Sequence, residues 1–441
     1  MNGLSYDDLS LPEIDADREP RVPSGAELEP PVDTLDLKMV PRIAVQAFCE
    51  TEDVTRVIET VAQDRRMSKA HVKVHRGGIA AAVEFYGQAP TPNLIIIESR
   101  NQSARLLEDL ERLAEVCDPG TKVVIVGHVN DVVLYRELIH RGVSDYLVAP
   151  VSLYQVIGAI GELYASPEAD PLGRVTAFIG AKGGVGSSTV AHNVAWSIAR
   201  QIERDVLIAD LDLAFGTAGL DFNQDPLQGV FEAISSPERL DETMLDRLLS
   251  KCTERLSLLA APATLERTYD PSEESFDGLI DIMRQGAPSV VLDLPHGWSG
   301  WTRKVLASVD EVVIVAEPDL ANLRNAKNMI DTLGQLRPND GPPRLVLNRV
   351  GVPKRPEIKA AEFADALGVE AVVSIPFEPQ LFGTAANNGQ MIGEQDERHA
   401  TAELFTRISQ VVTGRSEVQR NKGLALGALV GRLLKKGRAG A

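Results

Sequence analysis

The residues best suited to chemistry form one glycine-rich stretch, Phe178-Ile179-Gly180-Ala181-Lys182-Gly183-Gly184-Val185-Gly186-Ser187-Ser188-Thr189. It follows a β-branched run and opens an Ala-rich helical segment. Glycines let the main chain curl around an anion, so that successive N–H groups and the positive end of the next helix face phosphate oxygens. Gly183, Gly184, Val185, Gly186, Ser187, Ser188 and Thr189 are therefore the candidate nucleotide-binding residues, with the Ser188 hydroxyl placed to reach Mg²⁺. Two apolar runs downstream end in carboxylates. Asp205 to Asp212 reads DVLIADLD and carries Asp210 and Asp212, and Ser289 to Pro295 reads SVVLDLP and carries Asp293. Strand-end carboxylates are where an α/β sheet holds a metal ion or a water, which makes Ser188, Asp210 and Asp293 the candidate metal residues.

The usual phosphate loop is G-x-x-x-x-G-K-[ST]. Aligned on Gly186, Ala181 stands at the first glycine and Ser187 at the lysine, while a lysine appears early, at Lys182. With KGGVG in this form, the loop resembles the deviant loop of the MinD/ParA family of dimerising ATPases. That resemblance implies ATP and Mg²⁺ as cofactors and a homodimer formed through ATP. It gives Lys182 and Asp212 the catalytic roles, the lysine reaching across the dimer to the partner's nucleotide and Asp212 positioning the attacking water. It also implies that Asp293 supports Mg²⁺ through its water shell, with Asp210 beside the ion and the phosphates. Asn348, in PRLVLNRV, matches an asparagine that contacts the base, a strand-end cap being the alternative. In the family the backbone after Pro376 lies by the base. A charge-assisted lysine–phosphate contact is worth about 1.5–3 kcal/mol, so Ser187 is expected to weaken nucleotide binding by a monomer roughly ten- to a hundredfold. Binding is then tightly coupled to dimerisation, and hydrolysis is slow or absent.

The elements that must position these residues alternate. From about Pro41 to Tyr164, runs such as RIAVQAF, HVKVH, NLIIIES, KVVIVG and DYLVAP are separated by helical patterns, which predicts a parallel sheet covered by helices. GVSDYLVAPVS resembles the closing segment of response-regulator receiver domains. The receiver's acidic pair, phosphorylated aspartate and lysine are replaced, since the first strand is expected to end with Gln46 and Ala47, the third with Glu98, and Ala149 precedes Pro150. The expected fold class is α/β: a receiver-like (flavodoxin-like) domain followed by a MinD/ParA-type P-loop domain with a mainly parallel sheet. The expected boundaries are an acidic disordered arm at 1–38, an atypical receiver domain at 39–165, a linker at 166–172, an ATPase domain at 173–415 and a basic tail at 416–441. His296, Trp298 and Trp301, just past Asp293, are read as structural in the first case and as interface or core in the other two.

Lys plus Arg number 45 against 63 Asp plus Glu, a net charge of −18, which argues against bulk nucleic-acid binding. The scattered cysteines Cys49, Cys117 and Cys252 suggest a reducing compartment. No secretory leader pattern or long apolar run is found, so the expected location is cytoplasmic, peripheral at the inner membrane or a cell pole. In the tail, Leu426, Leu429, Val430 and Leu433 fall on one helical arc and Arg432, Lys435 and Arg438 face away, the pattern of reversible membrane contact, with partner docking and a merely solubilising tail as the alternatives. The order of the two domains and the loop variant resemble the CpaE/TadZ family of tight-adherence (Flp type IVc) pilus proteins. This implies a positioning factor whose partners are the pilus secretion ATPase and inner-membrane assembly proteins. An active ATPase positioning division, flagellar or partition machinery, and a scaffold independent of nucleotide, are the competing classes.

Overall fold

The computed structural model describes residues 39–164 and 172–415, with Leu37 and without Gln102, Ala263 and Arg267. The acidic arm, the linker and the basic tail lie outside these residues, apart from Leu37 and Leu172.

Two sheets divide the described chain. The first contains β1 (Ala44–Cys49), β2 (His71–Arg76), β3 (Leu94–Ser99), β4 (Lys122–Gly127) and β5 (Asp145–Val148) in the order β2-β1-β3-β4-β5, every pair parallel. This is the flavodoxin-like order, and it needs right-handed crossovers that put helices on both faces. Each face has its own core. Val54, Ile58 and Val61 of the helix Glu52–Gln63 share one with Val156, Ile157 and Ile160 of the helix Leu153–Leu163. Ile79, Leu106, Leu110, Leu134 and Leu138 build the other. Buried on both faces, β3 reads LIIIES with no polar alternation until its end.

β1 runs further than expected, to Cys49, and an acidic residue, Glu50, follows it after all. The expected end at Gln46 and Ala47 is therefore wrong: the pairing of β1 with β2 continues to Cys49↔Arg76, and Phe48 is buried between them and the helices. The helix Ile79–Tyr86 was not expected. It starts at Gly78 without a side-chain cap, so the usual N-terminal signal is missing.

The second sheet contains β6 (Arg174–Gly180), β7 (Val206–Asp210), β8 (Ser250–Lys251), β9 (Leu256–Leu259), β10 (Ser289–Asp293), β11 (Glu311–Ala316), β12 (Arg344–Val350) and β13 (Ala371–Pro376). Its order is β13-β12-β11-β6-β10-β7-β9-β8, parallel except for the β8–β9 edge pair. β6 is central, and the helix Ser187–Arg200 that follows the glycine-rich loop is buried from Val190 to Ala199. Its alanines let it pack closely between the sheet and the helix Ala400–Val412. Among the described residues no helix is long and apolar enough to cross a membrane.

Candidate functional site

Register builds the site. β6, β10 and β7 lie side by side, and parallel pairing sets Asp293 opposite both Phe178 and Asp210. The glycine-rich loop and the two carboxylates thus meet at the carboxyl end of the sheet, where the chain crosses between strands and open α/β sheets bind ligands. Gly184 and Gly186 have φ of +81° and +83°, a left-handed backbone that favours glycine. Gly186 also lies against Asn348, whose Nδ2 would meet an added Cβ at 2.6 Å. Asn348 is buried within β12; its Nδ2 donates to the Val185 carbonyl at 2.8 Å and its Oδ1 accepts from Arg349 N at 2.9 Å, so it braces the loop as well as the irregular end of the strand.

A cleft of about 330 Å³ opens beside the loop. Gly186, Thr189, Asn348 and Pro376 line it together with Phe377 and Phe382, which the sequence alone did not single out. Lys182, Gly183 and Gly184 lie elsewhere, exposed on the outer side of the loop. The Lys182 side chain is 53% exposed, with Nζ 4.0 Å from Asp319. Asp319 caps the helix Leu320–Leu336 by accepting from Asn322 N. Burial raises its pKa, but the hydrogen bonds from Asn322 and the Lys182 charge outweigh this and hold the carboxyl below its ordinary value. An exposed pair at this distance contributes under about 1 kcal/mol, so the lysine is held only lightly.

Asp210 is fully buried. Its Oδ1 accepts from Asp212 N at 3.1 Å and its Oδ2 from Ala218 N at 3.0 Å, which folds the following loop back on the strand end. Burial and the neighbouring Asp293 charge push its pKa well above the ordinary carboxylate value, against the opposing effects of His192 and the two backbone donors. Asp212 lies beyond the end of β7, half-buried, and accepts from Phe215 N.

His192 was not among the expected site residues. It is completely buried, with Nδ1 2.7 Å from Asp221 Oδ2 and Nε2 3.3 Å from Asp293 Oδ2. Burial disfavours its charge, but the Asp221 hydrogen bond and the Asp293 carboxylate more than restore it, taking the pKa up to about 10. Nε2 ion-pairs with Asp293 Oδ2 but makes no hydrogen bond, and Asp293 Oδ1 and Ser187 Oγ are likewise buried without a hydrogen-bond partner. The signal that could have found it is spacing: Ser188 and His192 are one turn apart on one helix face. Oxygen donors from Asp210 and Asp293 suit a divalent cation, and the unpartnered Asp293 Oδ1 fits such a use.

His296 is exposed, its Nδ1 lying 2.9 Å from the Gly180 carbonyl at the end of β6. The two tryptophans divide: Trp301 packs on Phe276 with ring centroids 4.7 Å apart, whereas Trp298 is exposed. The three cysteines are free.

Residues 173–342 match the family described as an AAA domain. The pilus assembly protein CpaE of Caulobacter crescentus is 51% identical over a segment covering 29% of this chain and 98% of that structure, with a TM-score of 0.29. A CpaE2 pilus assembly protein of Sinorhizobium meliloti is 42% identical, covering 27% of this chain and 99% of that one, with a TM-score of 0.27. Kinship rests here on the identities, not on the scores. The septum site-determining protein MinD of Synechocystis sp. is 26% identical over 253 residues, 55% of this chain and 90% of that protein.

Proposed function

Because the chain belongs to the family of the CpaE pilus assembly proteins, we propose that it is an ATP-binding, dimerising factor for the localisation and assembly of the tight-adherence (Flp type IVc) pilus secretion system, with slow or absent hydrolysis. One observation carries the reading: the phosphate loop holds Ser187 where the lysine usually stands, and its only lysine, Lys182, projects outward, lightly held by Asp319. A monomer then offers the phosphates a cradle of N–H groups and no lysine, and a second copy supplies one.

In this reading Gly183 to Thr189 cradle the phosphates, and Asn348 with the backbone after Pro376 borders the base. Ser188, Asp210 and Asp293 would hold Mg²⁺, which when bound neutralises phosphate charge. Asp212 orients water for whatever turnover remains. The first sheet is a receiver-like unit that serves contacts in place of phosphotransfer. The partners are the secretion ATPase and inner-membrane pilus proteins, met from the cytoplasm with reversible membrane contact by the basic tail.

Light scattering on the full chain, with and without ATP and Mg²⁺, tests this. ATP is expected to drive a dimer that Lys182→Ala abolishes. A wild-type chain that ignores nucleotide would make it a constitutive scaffold, and tight ATP binding by a strict monomer would remove the trans-lysine switch.

A further inference from the structure

We infer that His192 is a nitrogen ligand of the divalent-cation site, which makes that site an imidazole–carboxylate centre preferring Mn²⁺ and its transition-metal neighbours to Mg²⁺. The inference deepens the reading above and rests on it only for placing a cation at this end of the sheet.

The observations are geometric. One ligand atom each from His192, Asp210 and Asp293 lie within 4.8 Å of one another. The closest pair, His192 Nε2 and Asp293 Oδ2 at 3.3 Å, is near the roughly 3 Å that separates adjacent ligands of one cation bound at about 2.1 Å. A simple ion pair would align the ring N–H on a carboxylate oxygen. Here Asp293 Oδ1 is buried without a hydrogen-bond partner, and Nε2, ion-paired with Asp293 Oδ2 at 3.3 Å, makes no well-aligned hydrogen bond. A buried carboxylate oxygen without a donor costs about 1–3 kcal/mol, so Asp293 Oδ1, beside a ring nitrogen that is only loosely aligned, points to a cation that joins them.

The other ring nitrogen is already engaged. Nδ1 lies 2.7 Å from Asp221 Oδ2, the carboxylate–histidine arrangement that fixes the tautomer and turns Nε2 toward a metal. Ser188, one turn earlier on the same face, brings its hydroxyl to the same side of the helix. On uptake, the proton on Nε2 passes to solvent as the cation takes its place. Imidazole nitrogen favours first-row transition metals, whereas Mg²⁺ prefers an all-oxygen shell.

The test uses the full chain without nucleotide and Mn²⁺ alone as the probe, so that it is independent of ATP-driven dimerisation. Mn²⁺ binding is followed by loss of the free-ion EPR signal, with Mg²⁺ as competitor, and pulsed EPR reads ¹⁴N coupling to bound Mn²⁺. One Mn²⁺ per chain is expected, with imidazole ¹⁴N coupling and at least about tenfold preference over Mg²⁺. His192→Gln should remove the coupling, and Asp221→Asn, which leaves every ligand in place, should weaken Mn²⁺ about 10–100-fold. If His192→Gln does not fold, the wild-type coupling and Asp221→Asn decide. Bound Mn²⁺ without ¹⁴N coupling, displacement by equal Mg²⁺, or no binding at all overturns the inference. A dimer that forms with ATP while these fail would leave the proposed function standing and this inference refuted.

Discussion

Ser187 is the residue that sets this loop apart, because its hydroxyl is buried without a partner at the position where a lysine would reach the phosphates. Ser187→Lys should tighten ATP binding by the monomer about ten- to a hundredfold, the reverse of the roughly 1.5–3 kcal/mol expected for the lost contact. Calorimetry at a protein concentration that keeps the chain monomeric reads this, and an unchanged affinity would mean that phosphates do not lie in the loop. The loop and its two strand-end aspartates were legible in the sequence because glycine spacing and a carboxylate closing a β-branched run are local signals. Asn348 was legible as a residue but not in its contact, since its bond to Val185 spans 163 positions. His192 and Asp221 were missed because their pairing is made by tertiary folding, one residue in a buried helix and the other 29 positions on.

The long strands and the helix Leu320–Leu336 could be read from periodicity, whereas the short elements between β7 and β10 could not, being too brief to repeat a pattern. The end of β1 was misplaced because the segment after it is fixed by a distant side chain. Glu98, fully buried at the end of β3, accepts from Glu50 N at 2.7 Å, Thr51 N at 2.8 Å and Thr51 Oγ1 at 2.7 Å, with His128 Nε2 at 3.0 Å. Thr51 in turn caps the helix Glu52–Gln63. One carboxylate thus ties the first loop to the third strand, where a receiver would carry its acceptor aspartate. Glu98→Ala leaves those donors without their acceptor and should destabilise the first sheet by about 3 kcal/mol, seen as an earlier first transition in urea. The same contacts set the sign of the pH dependence. Burial raises the Glu98 pKa, but the Thr51, His128 and Glu50 hydrogen bonds win and hold it below its ordinary 4.5. Its stabilisation is therefore complete above about pH 4.5 and is lost as pH falls through the lower folded value, and the alanine variant should lack that acid-side loss.

The two sheets meet through charge. Arg65 Nε and Arg66 Nη2 from the first reach Asp340 at 2.6 and 2.7 Å, Arg65 also pairs with Asp310 at 3.4 Å, and Asn339 Nδ2 donates to Asp64 at 3.0 Å. Tyr154 OH donates to the Asn339 carbonyl at 2.6 Å. Asp310 and Asp340 precede β11 and β12, so this contact is at the amino ends of the strands, opposite the carboxyl ends that carry the glycine-rich loop. Among the described residues the first unit therefore packs away from the loop face, the face that the proposed ATP-linked dimer would use. Buried ion pairs add little net stability but fix orientation, and breaking one by removing a partner costs about 3–5 kcal/mol. Asp340, 8% exposed at its side chain, takes charge from Arg65, Arg66 and Arg337 together, and these hold its pKa down against its burial. Asp340→Ala should therefore loosen the docking while each sheet stays folded. Hydrogen exchange in the full chain should rise at residues 64–69 on one side and 337–341 on the other, with β3 and β6 still protected. Unchanged exchange at 64–69 would show that the apolar surroundings, not the charges, hold the two units in this orientation.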